Sequence, residues 1–250
     1  MTVETYYYGQ GRVSVASRTR NESGQYDIGA WRWVGDVSEL TFSMEIEEFT
    51  HKESYSGMRR SVRKIRTGVD GALSSVWHQV DGDNLELTLW GKKITTPAGS
   101  VTAHELPTLE VGQRYYLPQR KVSALAVDGL TLGTHYSVDA GAGAIDVIAL
   151  PETGFSQPTT ADYEYGAVRR VGIMTAPAPE VALRYDGINL AEGGDPVTVI
   201  LYRVSTAPLT ELALINTGDE FVGMTVAGSV LPDTSIPASD LLGPFGYIES

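Results

Sequence analysis

The 250-residue chain has no cysteine. That excludes disulfides, thiolate metal sites and a cysteine nucleophile. Its 4 histidines, His51, His78, His104 and His135, lie far apart, and no pair has a metal-ligand spacing. No apolar run reaches the roughly 18 residues a membrane-spanning helix needs, so no membrane insertion is expected. The opening residues lack a basic segment followed by an apolar one and do not read as a secretory leader. Lys and Arg are scarce, 19 against 31 Asp and Glu, for a formal charge of -12. That balance argues against a protein that grips DNA, which needs clustered cations. The Gly-x-Ser-x-Gly and Gly-x4-Gly-Lys-[Ser/Thr] patterns are missing. Gly9-Gln-Gly11 reads as a turn into a strand. Asp81, Asp83 and Glu86 suit a helix cap better than a calcium loop. Paired carboxylates for glycoside chemistry have many candidates and no distinguishing pattern. The expectation is a non-enzyme with no cofactor and no metal.

What is present is a core and many turns. Hydrophobic residues make up 42% of the chain, with 27 Gly and 12 Pro, enough apolar content to fold and many turns to fold around. The charge is uneven. Residues 1–67 hold 10 basic and 9 acidic residues, whereas residues 68–250 hold 9 basic and 22 acidic. Most of the basic excess is one run, Arg59, Arg60, Arg63, Lys64 and Arg66, just after an acidic cluster, Glu45, Glu47, Glu48 and Glu53. One reading is a solvated hairpin with opposite signs on its arms. A sharper one is a self-complementary surface joining copies of the chain. Nucleic-acid binding by the run is weaker, because only Tyr55 could serve as an aromatic platform.

Period-2 alternation dominates. Leu40, Phe42, Met44 and Ile46 fall on one face of a strand over residues 37–49, with Glu39, Thr41, Ser43, Glu45 and Glu47 on the other. Residues 11–17, 198–204, 211–215 and 221–227 alternate in the same way, the last three as a meander. One short helix is expected over residues 81–91, from the capping acids and the stop at Gly91, with Leu85 and Leu89 on its packing face. The alternation of Leu85, Leu87 and Leu89 also allows a strand there. Residues 95–107 and 176–179 read as linkers around strands at 122–127, 134–138, 144–148 and 161–165. The division expected is therefore 1–104, an inserted small β subdomain at 105–175, and 176–250. Residues 232–250 read as a C-terminal arm that orders on a neighbour.

Several segments together resemble phage tail tube proteins. Residues 8–18 followed by 35–48 are similar to their opening strands, and His51-Lys-Glu-Ser-Tyr-Ser-Gly57 to the turn that follows. Residues 83–91 occupy the place of their short helix, Leu132-Gly-Thr-His-Tyr-Ser-Val-Asp139 resembles a hairpin of their inserted region, and residues 186–191, 198–204 and 221–233 resemble their later strands. The resemblance implies a mainly β fold, an antiparallel β-barrel or sandwich of the tail tube type. It also implies a structural virion protein that forms stacked, hexameric rings, a conduit for DNA ejection. The resemblance does not itself set the tail type, and a chain of 250 residues with an inserted β region looks like the long-tailed, non-contractile, siphovirus-like kind. Tape measure, tail terminator and distal tail proteins would be its other partners, and assembly would take place in the host cytoplasm. DNA would pass without specific binding. The dense basic run after Gly57 departs from the pattern.

An acidic wall suits a conduit, because every phosphate neutralised by a cation adds affinity and would hold the cargo. Glu39, Glu45 and Glu47 are therefore the lumen-facing candidates, with Phe42, Met44 and Ile46 expected to pack against the helix at Leu85 and Leu89. Arg59, Arg60, Arg63, Lys64, Arg66, Glu48 and Glu53 are the candidates for contacts between subunits or rings, in a loop over residues 50–66 and in two arms, residues 1–8 and 234–250. The competing reading is a carbohydrate-binding or adhesive β protein using Tyr6, Tyr7, Tyr8, Trp31 and Trp33.

Overall fold

The alternation along residues 37–49 becomes one strand of a large antiparallel sheet. The computed structural model describes residues 5–215, 218, 221–237 and 239–250. The chain divides into two units, one built from the chain up to Lys92 together with Gly172 onward, the other from Lys93–Val171. The second unit thus begins 12 residues before the expected boundary at 105. The cause is strand pairing: the Thr- and Pro-containing stretch that resembled a linker is itself hydrogen-bonded sheet.

In order, the first unit starts with β1 (Gly9–Arg20), β2 (Tyr26–Ile28), β3 (Arg32–Trp33), β4 (Val37–Lys52), β5 (Ser61–Trp77) and the helix α1 (Gly82–Thr88). The second unit holds β6 (Lys93–Thr96), β7 (Gly99–Glu105), β8 (Arg114–Tyr116), β9 (Val122–Val127), β10 (Tyr136–Asp139), β11 (Ala144–Val147), β12 (Thr160–Tyr165) and β13 (Val168–Val171). The chain then returns with β14 (Glu180–Asn189), β15 (Asp195–Thr206), β16 (Met224–Val230) and β17 (Gly246–Glu249).

The first unit's sheet has 9 strands in the order β2-β1-β14-β15-β16-β5-β4, with β3 also on β1 and β17 also on β15. It is antiparallel at every pairing and does not close into a barrel. β15 carries β16 on residues Val204, Ser205 and Thr206, and β17 on Thr198–Leu201. The sheet therefore splits along β15 into two wings, β1-β14-β15-β17 and β16-β5-β4. Val13, Val15, Leu73, Trp77, Leu183, Leu201 and Met224 form its core. At Gly71, between Val230 and Met44, an added Cβ would lie 2.7 Å from the Val230 side chain, so only glycine lets β5 run this close to β16.

The helix forms where its cap predicts. Asp81 accepts hydrogen bonds from the N–H groups of Asp83 (3.0 Å) and Asn84 (2.8 Å), satisfying donors that a helix start leaves open. Its fully buried residues are Asn84, Leu87 and Thr88; of the expected Leu85–Leu89 face, Leu85 packs half-buried against the core and Leu89 is not part of it. Asn84 decides this: its amide donates to the carbonyls of Val34 (2.8 Å) and Gln79 (2.9 Å) and accepts from Arg32 (2.7 Å). Asp81→Ala should lower stability by about 1 kcal/mol, the usual value of a helix N-cap. Urea unfolding followed by tryptophan fluorescence checks it, since all 4 tryptophans belong to this unit.

The second unit contains two three-stranded sheets, β10-β11-β8 and β7-β12-β9, and a β13-β6 ribbon. One core joins the two sheets through Leu109, Val122, Tyr136, Ile145 and Tyr163. The buried Tyr136 hydroxyl donates to the Leu125 carbonyl at 3.2 Å and accepts from the Val127 N–H, meeting the need of a buried polar group for partners.

Some sequence expectations fail. Residues 211–215 form no strand, and Leu214 and Ile215 are exposed. β16 begins at Met224, with Phe221 left outside it. The C-terminal segment does not stand away as an arm: β17 pairs with β15 of its own chain, and Asp233 bonds Arg18 at 2.5 Å. At the other end, residues 1–4 lie outside the described residues. Tyr6 N–H donates to Glu192 (2.8 Å) and Tyr8 N–H to Asn189 (2.9 Å), so this stretch is tied to the β14–β15 connection.

Candidate functional site

The feature that stands out is an arm. β16 pairs with β5 only over Gly71–Trp77, and β4 continues beside β5 from that segment to Lys52. Past Glu45 and Asp70, then, β4 and β5 have only each other. The two-stranded ribbon extends about 25 Å, at some 3.3 Å per residue, before its turn. An isolated two-stranded hairpin is marginal in water, and this one exposes Phe49, Val62 and Ile65, each 47–56% accessible.

Its faces follow the pairing. Leu40, Phe42, Met44 and Ile46 lie on the side of Leu73 and Val69, and Glu45 and Glu47 on the other with Asp70 and Gly68. The division into apolar and acidic faces therefore holds, but the expected partner of the apolar face does not. Phe42, Met44 and Ile46 are 39–45% exposed, because the ribbon carries them beyond the core. α1 lies elsewhere, with Leu85 and Leu87 against the core. Between Glu47 and Glu48 the register slips, the partner changing from Gly68 to Arg66. Phe49 follows Glu45 and Glu47 on their side by the alternation of β4, and the extra residue of β5, Thr67, brings Ile65 opposite Phe49 on that side. The ribbon is thus apolar on one side at its base and on the other near its tip.

The basic run does not form a loop throughout. Arg63, Lys64 and Arg66 belong to β5, and only Arg59 and Arg60 to the turn. Their charge hid a strand whose apolar positions, Val62 and Ile65, are few. Lys64 is paired within the chain to Glu48, an exposed ion pair of little energetic weight. Glu53 is turned inward at 5% exposure: the Ser56 hydroxyl donates to it, and its own N–H donates to the Arg60 carbonyl at 2.9 Å. The Ser56 hydrogen bond, ahead of the others from Tyr55 and Arg60, holds its carboxyl below the usual range. Glu53 thus organises the turn and offers no surface, contrary to expectation. Arg59, Arg63 and Arg66 make no ion pair among the described residues.

A second feature, invisible in the sequence, is a cleft of about 1130 Å³ between the two wings of the sheet. Leu40, Phe42, Leu183, Tyr185, Val199 and Leu201 line it, with Asp36 and Glu39 also at its wall. No Lys, Arg or His is among the described residues lining it. Burial, then a hydrogen bond with Tyr7, raises the pKa of Tyr185, as expected of a poorly hydrated wall. Its residues come from strands far apart in sequence, so no local pattern announces it.

A third cluster holds the fold together. The Arg18 side chain is 1% exposed and meets Asp233 at 2.5 Å and Glu180 at 3.4 Å, while Arg203 meets Glu180 at 2.6 Å. The Tyr26 ring lies 4.1 Å from the Arg18 guanidinium carbon. Among the described residues no group of three or more His, Asp or Glu could hold a metal ion, and no helix is long and apolar enough to cross a membrane.

The sequence pattern of one family, described as protein of unknown function UCP028589, matches residues 6–249. The chain belongs to that family. The match runs from the pinned tyrosines to β17 and so takes in the arm, the cleft, the ion network and the second unit. No curated protein matches the chain.

Proposed function

We propose that the protein is structural and self-associating, polymerising into stacked rings that make a phage tail tube, a conduit for DNA. The observation that carries the reading is the β4–β5 arm, a ribbon whose outer edge along β4 pairs with no other strand among the described residues and whose apolar residues stay exposed. Unpaired edges invite pairing with another chain. A ring converts that hazard into assembly by pairing each edge with the next subunit, and a head-to-tail contact that does not close stacks the rings. The ordered set of segments resembling tail tube proteins supplies the phage context. The virion tail is then the site of action, and tape measure, terminator and distal tail proteins are the neighbours. The acidic face of β4, with Glu39, Glu45 and Glu47, is the proposed lumen wall, since like charge keeps the DNA backbone from being held.

Negative-stain microscopy of the purified chain tests the reading. Rings or tubes with a central hole are expected. Compact monomers at every concentration would count against it and favour the adhesive alternative.

A further inference from the structure

We propose that the cleft between residues 9–13 and 37–42 is the receptor for the turn of the β4–β5 arm of a second copy; the proposal rests on the self-association reading above. The cleft's chemistry defines its guest. Its walls mix apolar and aromatic side chains with Gln10 and Asn189, Asp36 is the carboxylate at its rim, and no cation is among the described residues lining it; the Glu39 carboxylate instead accepts from Thr41 on the opposite face of β4. It therefore suits a guest that is both apolar and cationic. The turn of the arm is such a segment, with Tyr55 at 83% and Met58 at 69% exposure beside Arg59 and Arg60. Two other exposed apolar stretches of this unit have the wrong sign: Leu214, Ile215 and Phe221 stand among Glu211, Asp219 and Glu220 in sequence, and Leu241 follows Asp240. Trp31-Arg32-Trp33 has the right sign, but the cations there are engaged within the chain, Arg32 with Asn84 at 2.7 Å and Arg12 over the Trp33 ring.

The geometry makes the contact intermolecular. Cleft and turn lie at opposite ends of the same strand, β4, and the rise from Leu40 to Lys52 is about 40 Å at 3.3 Å per residue. A hydrogen-bonded ribbon of that length does not double back into its own base. A knob at one end and a socket at the other give a heterologous contact, which propagates as a filament instead of closing as a dimer. Tyr55 and Met58 fill the apolar part of the wall, and Arg59 and Arg60 meet Asp36.

The cysteine-free chain makes a clean test. Ser38→Cys marks the cleft and Ser54→Cys the turn, both at exposed positions and neither removing a side chain the docking uses. A disulfide forms only where the two Cα atoms come within about 7 Å. Mixed and oxidised, the two variants should give a covalent dimer that neither gives alone, and the double variant a ladder of oligomers. Tubes without the mixed dimer, or cross-linking by Ser54→Cys alone as strong as in the mixture, overturn the docking and leave self-association standing. No assembly at any concentration overturns both. Independently, Asp36→Lys should raise the concentration needed for assembly about tenfold or more, and adding Arg59→Glu with Arg60→Glu should restore it. Failure of that rescue in a folded protein also overturns the pairing.

Discussion

Replacing Arg18 by Met should lower the unfolding free energy of the first unit by about 3 kcal/mol, at the lower end of what removing one partner of a buried ion pair costs. Asp233 would lose its 2.5 Å partner while remaining 7% exposed, and Glu180 would keep only Arg203. Tryptophan fluorescence isolates the measurement, because the second unit contains no tryptophan. The penalty should also depend on pH. Hydrogen bonding to Arg203 holds Glu180 below its ordinary pKa. For Asp233, burial pushes upward, but hydrogen bonds from Ser235 and Arg18 outweigh it, so its pKa is also lowered. Carboxylates with lowered folded-state pKa values stabilise fully above the unfolded value, about 4, and lose that contribution as pH falls through the folded one. The difference between parent and variant should therefore be largest near neutrality and shrink below about pH 4. A difference unchanged down to pH 2 would mean that the guanidinium contributes packing alone.

Reversing Arg59, Arg60 and Arg63 to Glu should give a folded monomer that no longer polymerises. Folding survives because all three are exposed and none makes an ion pair among the described residues. The turn keeps the Glu53–Ser56 hydrogen bond and the Glu53–Arg60 backbone bond, which use no guanidinium. Assembly fails because three charges of the wrong sign would enter the proposed partner surface, where Asp36 lies and no cation lines the wall among the described residues, and like-charge contacts cost several kcal/mol when desolvated. Sedimentation and microscopy give the assembly state, and the tryptophan signal the fold. Normal tubes from the triple variant would sink the proposed role of the arm.

The sequence revealed strands where one face met water. β4 was legible because Leu40, Phe42, Met44 and Ile46 alternate with acids, and α1 because Asp81 caps it. β5 was hidden: its first half reads as a charge run, and Gly68 and Gly71 look like breakers although Gly71 is needed for close approach. β6 and β7 were taken for a linker, since Thr, Pro, Gly and Ser there form two strands and the turn between them. Of the candidate site, the acidic face of β4 and the basic turn were visible. The inward turn of Glu53, the in-chain Glu48–Lys64 pair and the cleft were not, because each depends on residues brought together only by the register of the sheet.

The alternation of β4, which puts Phe49 on the side opposite to Phe42, Met44 and Ile46, and the register slip at Glu47 and Glu48, which moves Ile65 beside Phe49, make the arm two-sided, apolar on one side near the base and on the other near the tip. A surface that covers one side leaves the other wet, so a single neighbour gives only part of the gain. Full coverage needs the ribbon wedged between two bodies, as a shim is. An assembly of this kind has a weakly held first contact and a firmly held next one, which makes for a lag followed by rapid growth.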